Sequence, residues 1–500
     1  MIYFALRDHE WNTVPYTITR ENIISDSSSF SIDLQLSIES DDISYEVSML
    51  IEGTAANEIH VNANGIAGSR FKKNRIGLCV HHPLAECMGK PARVVHTTGA
   101  EELTAFPQFV SPLQPFLDVS SIGWQPSEHV HARLDFGGET FETEDQRNWS
   151  DASFKTYSTP LHQPFPIVVD PNDSFSHSIR LQVKIDESHA TGALSQSEPN
   201  PRTLPGVGLS REYGSVPLTD LQFVHLKKLK IDFYRVELLL DDEDWKHELS
   251  NAIHEAEILE TMVALAIFYS QDTQLSGVVS ELRPHIYRIE SVLVLQTTSV
   301  CTTTFAMQNF YPEVKGLSSS IRTGYGTNGH FAELNRNMPS THDFDFLAFT
   351  LHPQVHANDS RTLIENLESL PHMIDTLRSQ MPNHPVRIFP ASFSKISFTT
   401  KGSQVFEDSR LRTGFGAMWL LHFLYQASGA RSVGLLVPTT QLLAGDHGNS
   451  SPVFDVLSDL KTLQAQLIGI GEGAIVIEGP AAPRTYYTIN DQFGYRWPST

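Results

Sequence analysis

The sequence predicts an α/β protein: a (β/α)₈ TIM barrel with an N-terminal β-sandwich-like domain and a small C-terminal β unit. Two observations lead there. Up to about residue 195 the hydrophobic period is 2, and from about Pro205 strand-like apolar runs alternate with helical patterns. From that point eight strand candidates succeed one another, most of them trailed by helical sequence, within the length a barrel requires.

The N-terminal part carries runs such as FSIDLQLSI (30–38), YEVSMLIEG (45–53) and HVHARLDFGG (129–138), separated by Gly, Asn, Asp and Pro. Alternation of this kind marks antiparallel strands with one wet face. SHSIRLQVKI (176–185) closes the domain, and a small, polar, Pro-containing stretch links it to the barrel. The expected boundaries are 1–195 for this domain, 205–470 for the barrel and 471–500 for the C-terminal strands.

The barrel strands are expected in LPGVGLS, FYRVELLL, MVALAIFY, SVLVLQTT, SIRTGYGT, FDFLAFTL, VRIFPASF and SVGLLVPTT. They read as near-continuous apolar runs because parallel strands are covered on both faces. Between the second and third, Trp245, Leu249, Ile253 and the Ile258/Leu259 pair recur at helical spacing behind an acidic start suited to a helix N-terminus. A further helix is expected over Leu363 to Met381. LPGVGLS lacks the spacing of a dinucleotide-binding turn, which argues against a doubly wound sheet. The tail AIVIEGPAAPRTYYTI reads as a strand pair.

Composition narrows the function. The 500 residues are 40% hydrophobic and 19% charged, which suits a folded protein with a sizeable core. A net charge of −22 sets nucleic acid aside as a partner. The apolar stretch around Met262 to Tyr269 is too short to span a bilayer, and the first residues show no export signal, so a cytoplasmic protein without membrane contact is expected. Cys79, Cys87 and Cys301 are too few for a disulfide framework and read as small buried residues. A homo-oligomer is left open.

Candidate chemistry lies where barrel strands end. The fifth unit continues into GTNGHFAELNRNMP, where Glu333 is a candidate general acid or base and Asn335 and Arg336 candidates for holding hydroxyls or a carboxylate. The sixth continues into HPQVHANDS, placing His352, Gln354, His356 and Asp359 at a strand end. Pro353 argues for turn backbone there and against a helical His pair on a metal. In the second strand Arg235 and Glu237 share a side, either as an internal ion pair or as a substrate contact. The N-terminal domain contributes a dense polar run, FETEDQRNWSDASFKTY (141–157), with Asp145, Arg147, Asn148, Trp149, Asp151, Lys155 and Tyr157, expected to cap the barrel mouth.

These segments resemble the D-apionate lactonase family. FKKNRIGLCVHHPL (71–84), FETEDQRNWSDASFKTY, VELLLDDEDW (236–245), GTNGHFAELNRNMP (326–339) and HPQVHANDS (352–360) fall in the family's order, and the similarity extends over most of residues 70–440. The resemblance implies a barrel related to those of glycoside hydrolases and hydrolysis of a sugar-acid lactone, D-apionolactone foremost, as a small-molecule substrate in carbohydrate breakdown. Three places depart from the pattern: His352 stands where the family has Asn, the segment FPASFSKIS has another form, and Val437 occupies the place of a Glu before the pair Thr439 and Thr440.

Lactone hydrolysis requires an activated water and donors for the oxygen that gains charge. On that reading Glu333 or His356 activates water, Asn335 and Gln354 hold hydroxyls or the oxyanion, and Arg336 orients the substrate. His352, Arg75, Arg147, Asn148 and Asp145 are further candidates for binding it. No metal or cofactor is expected. Two rivals remain: a glycosidase using Glu333 and Glu237 as its paired carboxylates, and a non-catalytic sugar-acid-binding relative, suggested by Val437.

Overall fold

A computed structural model describes residues 1–500 except 41, 187–200, 400–401, 439–441, 444–449, 472–473, 481, 490–494 and 497–500. The chain divides into two compact units, Met1–Gln146 with Ala152–Ala193, and Arg147–Asp151 with Leu194–Thr500. The short segment Arg147–Asp151 thus groups with the second unit, although its flanking strands belong to the first.

The first unit is one antiparallel sheet of fourteen strands among the described residues. Its main path runs from Thr17–Ser25 through Phe30–Ser40, Ile43–Thr54, Glu58–Ala67, Ser174–Ile185, Val130–Gly137, Phe116–Ser127, Phe141–Asp145, Ser153–Tyr157 and Phe71–Pro83 to Ile2–Asp8. The period-2 reading holds in detail. In Ile43–Thr54 the side chains of Ile43, Tyr45, Val47 and Met49 are buried while Glu46 and Ser48 face out. Leu36, Ile38, Val61, Leu78, Phe106, Phe141 and Phe154 complete the core that these inward positions build.

The second unit holds a closed parallel barrel of eight strands: β1 (Gly206–Ser210), β2 (Tyr234–Leu239), β3 (Val263–Tyr269), β4 (Ile289–Gln296), β5 (Arg322–Gly326), β6 (Phe346–Leu351), β7 (Val386–Ala391) and β8 (Ser432–Leu435). Each overlaps one of the eight expected runs, and β4 alone begins before its run, by two residues. Every residue of β2, β6 and β7 is buried, since the barrel interior covers one face and the helices the other. Closure is made by β1 against β8, with Gly206 opposite Ser432 and Leu209 opposite Leu435. The helix Trp245–Ile258 buries Leu249, Ala252, Ile253 and Ala256, the face its spacing predicts.

One helix differs from expectation. The segment expected as a single helix over Leu363 to Met381 is broken into Ser360–Glu365, a 3₁₀ turn Asn366–Ser369 and a second helix Leu370–Gln380. Pro371 explains the break: it has no N–H to donate and its ring would crowd a preceding carbonyl, so it is accommodated only in the first turn of a new helix.

Near the N-terminal ends of the strands, Arg387 of β7 donates from Nη1 to Glu290 Oε1 at 2.6 Å and to Ser291 Oγ at 3.0 Å, and its guanidinium lies 4.4 Å from the Phe346 ring centroid. Polar groups at that end of a barrel serve stability. Among the described residues a five-stranded sheet joins Arg202–Thr203 to the C-terminal strands Leu467–Gly471, Ala474–Gly479, Ala482–Ile489 and Tyr495–Arg496. Among the described residues no helix is long and apolar enough to cross a membrane. All three cysteines are buried and unpaired.

Candidate active site

The candidate residues gather where β5 and β6 end. At the end of β5, a Cβ on Gly326 would stand 2.3 Å from the Ala348 carbonyl oxygen, so only glycine permits this approach, beside which Thr327 N donates to Ala348 O at 3.0 Å. The chain then turns into the short helix Phe331–Arg336, which buries Phe331, Ala332, Leu334 and Asn335.

Glu333 stands on that helix with its Oε2 buried and meeting no hydrogen-bond donor among the described residues. Burial holds its carboxyl above the usual range, and the backbone N–H groups of Glu333 and His330 together with the charge of Arg336 offset only part of that. Gly329 lies against it: a Cβ there would be 3.2 Å from Oε2. Asn335 donates from Nδ2 to Asn148 Oδ1 at 3.1 Å, and the Arg336 guanidinium lies 5.5 Å from the Trp149 ring centroid.

After β6 the backbone from His352 to Asp359 is turn and coil, as Pro353 predicts. His352 is buried, and desolvation, with the charge of His330, lowers its pKa to about 3. The ring of His330 is 5.0 Å from that of His352 and 5.4 Å from that of Trp149. Burial, reinforced by His356, lowers the His330 pKa to about 4. Gln354 donates to Phe393 O and to Asp408 Oδ2, each at 3.0 Å, so it ties the loop after β7 to the loop after β6.

Beyond Gln354, His356 places Nδ1 in hydrogen-bond contact with Asp151 Oδ2. The second oxygen, Oδ1, accepts from Asn366 Nδ2 at 2.8 Å. Asp151 arrives on the segment Arg147–Asp151, whose Arg147, Asn148 and Asp151 are all buried. This segment, the centre of the dense polar run, thereby touches the loops after both β5 and β6.

The remaining candidates are placed elsewhere or otherwise engaged. Arg75 and Asp145 belong to the first unit. Arg75 donates to Asn74 O at 2.6 Å and Pro160 O at 3.2 Å, and its guanidinium faces Phe165 at 4.9 Å and Trp11 at 5.4 Å. Asp145 accepts from Ser111 N at 2.9 Å. Glu237, inside the barrel, accepts from Arg235 at 2.9 Å, from Ser403 N at 2.8 Å and from Ser403 Oγ at 2.6 Å. The internal pairing is therefore the arrangement found for Arg235 and Glu237. Val437 lies just beyond β8, and Thr439 and Thr440 lie outside the described residues. Among the described residues no three His, Cys, Asp or Glu side chains are grouped to share a metal ion.

Residues 1–186 match the D-apionate lactonase N-terminal domain and residues 207–465 the D-apionate lactonase TIM barrel domain. The chain belongs to the D-apionate lactonase family. A relative from Brucella anthropi named D-apionate lactonase is 26% identical over 417 residues, covering 78% of this chain and 68% of its own. Among solved structures, a β-arabinopyranosidase aligns over 100% of this chain and 90% of its own at 8% identity and a TM-score of 0.33. The GH51 arabinofuranosidase from Xanthomonas axonopodis pv. citri aligns over 57% of this chain and 78% of its own at 10% identity and a TM-score of 0.38.

In this member of the D-apionate lactonase family, sequence reasoning named Trp149 and Asp151 only as part of the polar run and missed His330 and Asn366 as candidate site residues. Asp151 and Trp149 lay inside a run already singled out, but nothing local distinguished them from their neighbours. Asn366 carried one usable signal: it precedes Pro371 by a turn, where a helix must break.

Proposed function

We propose that the protein hydrolyses the lactone of a sugar acid, D-apionolactone foremost, with His356 as general base. The observation that supports this most directly is the contact of His356 Nδ1 with Asp151 Oδ2. An ionised carboxylate can only accept, so Nδ1 carries the proton and Nε2 keeps the lone pair that takes a proton from water.

Water held by Nε2 attacks the lactone carbonyl carbon while its proton passes to His356. The tetrahedral intermediate collapses, the bond from carbonyl carbon to ring oxygen breaks, and the ring oxygen takes a proton. Glu333, whose carboxyl burial holds above its usual range, suits that donation. Arg336 supplies positive charge for the oxyanion or the substrate's hydroxyls, and the Trp149 face beside it offers a surface for the sugar ring. The net reaction turns lactone and water into carboxylate and one proton.

Proton release from purified protein with a panel of aldonolactones, D-apionolactone included, tests the proposal with and without chelator. Turnover of a sugar lactone unaffected by chelation is expected. Absence of turnover across the panel overturns it, and loss on chelation overturns the metal-free mechanism.

A further inference from the structure

The break in the helix after β6 has a specific geometry. Of the 3₁₀ turn Asn366–Ser369, the two end residues carry polar side chains that are almost wholly buried, with Asn366 at 7% and Ser369 at 0% exposure. Both reach the same short segment. Asn366 Nδ2 donates to Asp151 Oδ1 at 2.8 Å, and Ser369 Oγ lies 3.0 Å from Ser150 O. Asn366 Nδ2 also lies 3.4 Å from the carbonyl of Pro353, in the loop that carries His356. One amide therefore touches the segment holding Asp151 and the loop holding His356.

The segment requires such a hold. Ser150 has φ 70°, a left-handed conformation that costs a residue with a side chain free energy and persists only where its surroundings impose it. Without an anchor, the chain at Ser150 would relax toward a commoner conformation and swing the Asp151 carboxylate with it. Ser369 Oγ shares its one hydrogen between Asn366 O at 2.7 Å and Ser150 O at 3.0 Å, so it steadies the Ser150 carbonyl only in part, while Asn366 Nδ2 holds the carboxylate oxygen that His356 does not use. A carboxylate held at both oxygens has its rotation set, and the imidazole it bonds is oriented in turn.

We infer that Asn366 and Ser369 are positioning residues that lock Asp151, and through it His356, in the reactive orientation. The inference rests on the reading of His356 as the base. Neither residue needs to touch substrate, so their removal acts on the rate and leaves substrate affinity in place.

The test measures kcat and KM for D-apionolactone in Asn366→Ala and Ser369→Ala, each also combined with Asp151→Ala. Asn366→Ala is expected to lower kcat about tenfold to a hundredfold with little change in KM, the effect of losing one hydrogen bond to a charged group. Ser369→Ala is expected to lower it less, and supplies a second reading should Asn366→Ala fold poorly. In the Asp151→Ala background both losses should vanish, because a residue acting through Asp151 has nothing left to position. Equal losses with and without Asp151, or a change in KM alone, overturn the inference. Full turnover by His356→Gln instead overturns the reading beneath it, and the two failures are thereby distinguished.

Discussion

Asp151 and His356 are separated by 205 positions in the chain and share a hydrogen bond between a carboxylate oxygen and Nδ1. Removing either should be costly in different ways. His356→Gln deletes the base, and Asp151→Asn offers Nδ1 an amide that no longer selects one tautomer. Each is expected to lower kcat for lactone hydrolysis by about 10²- to 10⁴-fold. The double variant should be no worse than the poorer single one, and additive losses would show that the two do not act as a unit.

Glu333 provides a prediction in which activity and stability move in opposite directions. Its carboxyl is held above the ordinary Glu range by burial. Below that range both folded and unfolded chains are protonated there and the site contributes no difference. As pH rises the unfolded chain ionises first, and the native state loses stability relative to it until the folded group also ionises. Glu333→Gln removes that loss. The variant should melt at a higher temperature than the parent at pH 7, match it near pH 4, and lose about 10²-fold in turnover. Thermal melts at the two pH values check the sign, and a variant that keeps full activity removes Glu333 from the mechanism.

The barrel was legible because its physics is local: β2, β6 and β7 are buried along their whole length, and such strands cannot avoid reading as apolar runs. The site was legible only in part. Glu333, Asn335, Arg336 and His356 stand at strand ends, where barrel geometry gives polar residues weight. Asp151 and Asn366 act through a contact across 215 positions, and no periodicity encodes such a contact. Gln354 shows the converse: at a promising position, its amide is used to join two loops.

Glu237 separates lactonase from glycosidase. A glycosidase would need Glu237 as one of its paired carboxylates, and Glu237 accepts from Arg235 and from both donors of Ser403. Both members of the ion pair are 1% exposed, so deleting one leaves an unpaired buried charge. Glu237→Ala is expected to cost about 3–5 kcal/mol of stability, visible as a lower urea midpoint. A stable Glu237→Ala protein that has lost turnover would instead assign Glu237 to the chemistry.

Buried histidines are expected to weaken the fold in acid. His82 and His352 are lowered to about 3, and His330 and His422 to about 4, in each case chiefly by desolvation of the charged ring. Neutral in the native state, they favour folding fully only above the ordinary histidine value near 6.5. As pH falls below that value the unfolded chain takes up protons that the native rings refuse, and stability declines until the native rings titrate near 3 to 4. The urea midpoint should therefore fall steadily from pH 6.5 to pH 4. His352→Asn and His422→Leu each remove one such ring and should flatten the decline. An unchanged slope in both variants would show that the acid sensitivity has its origin in the carboxylates.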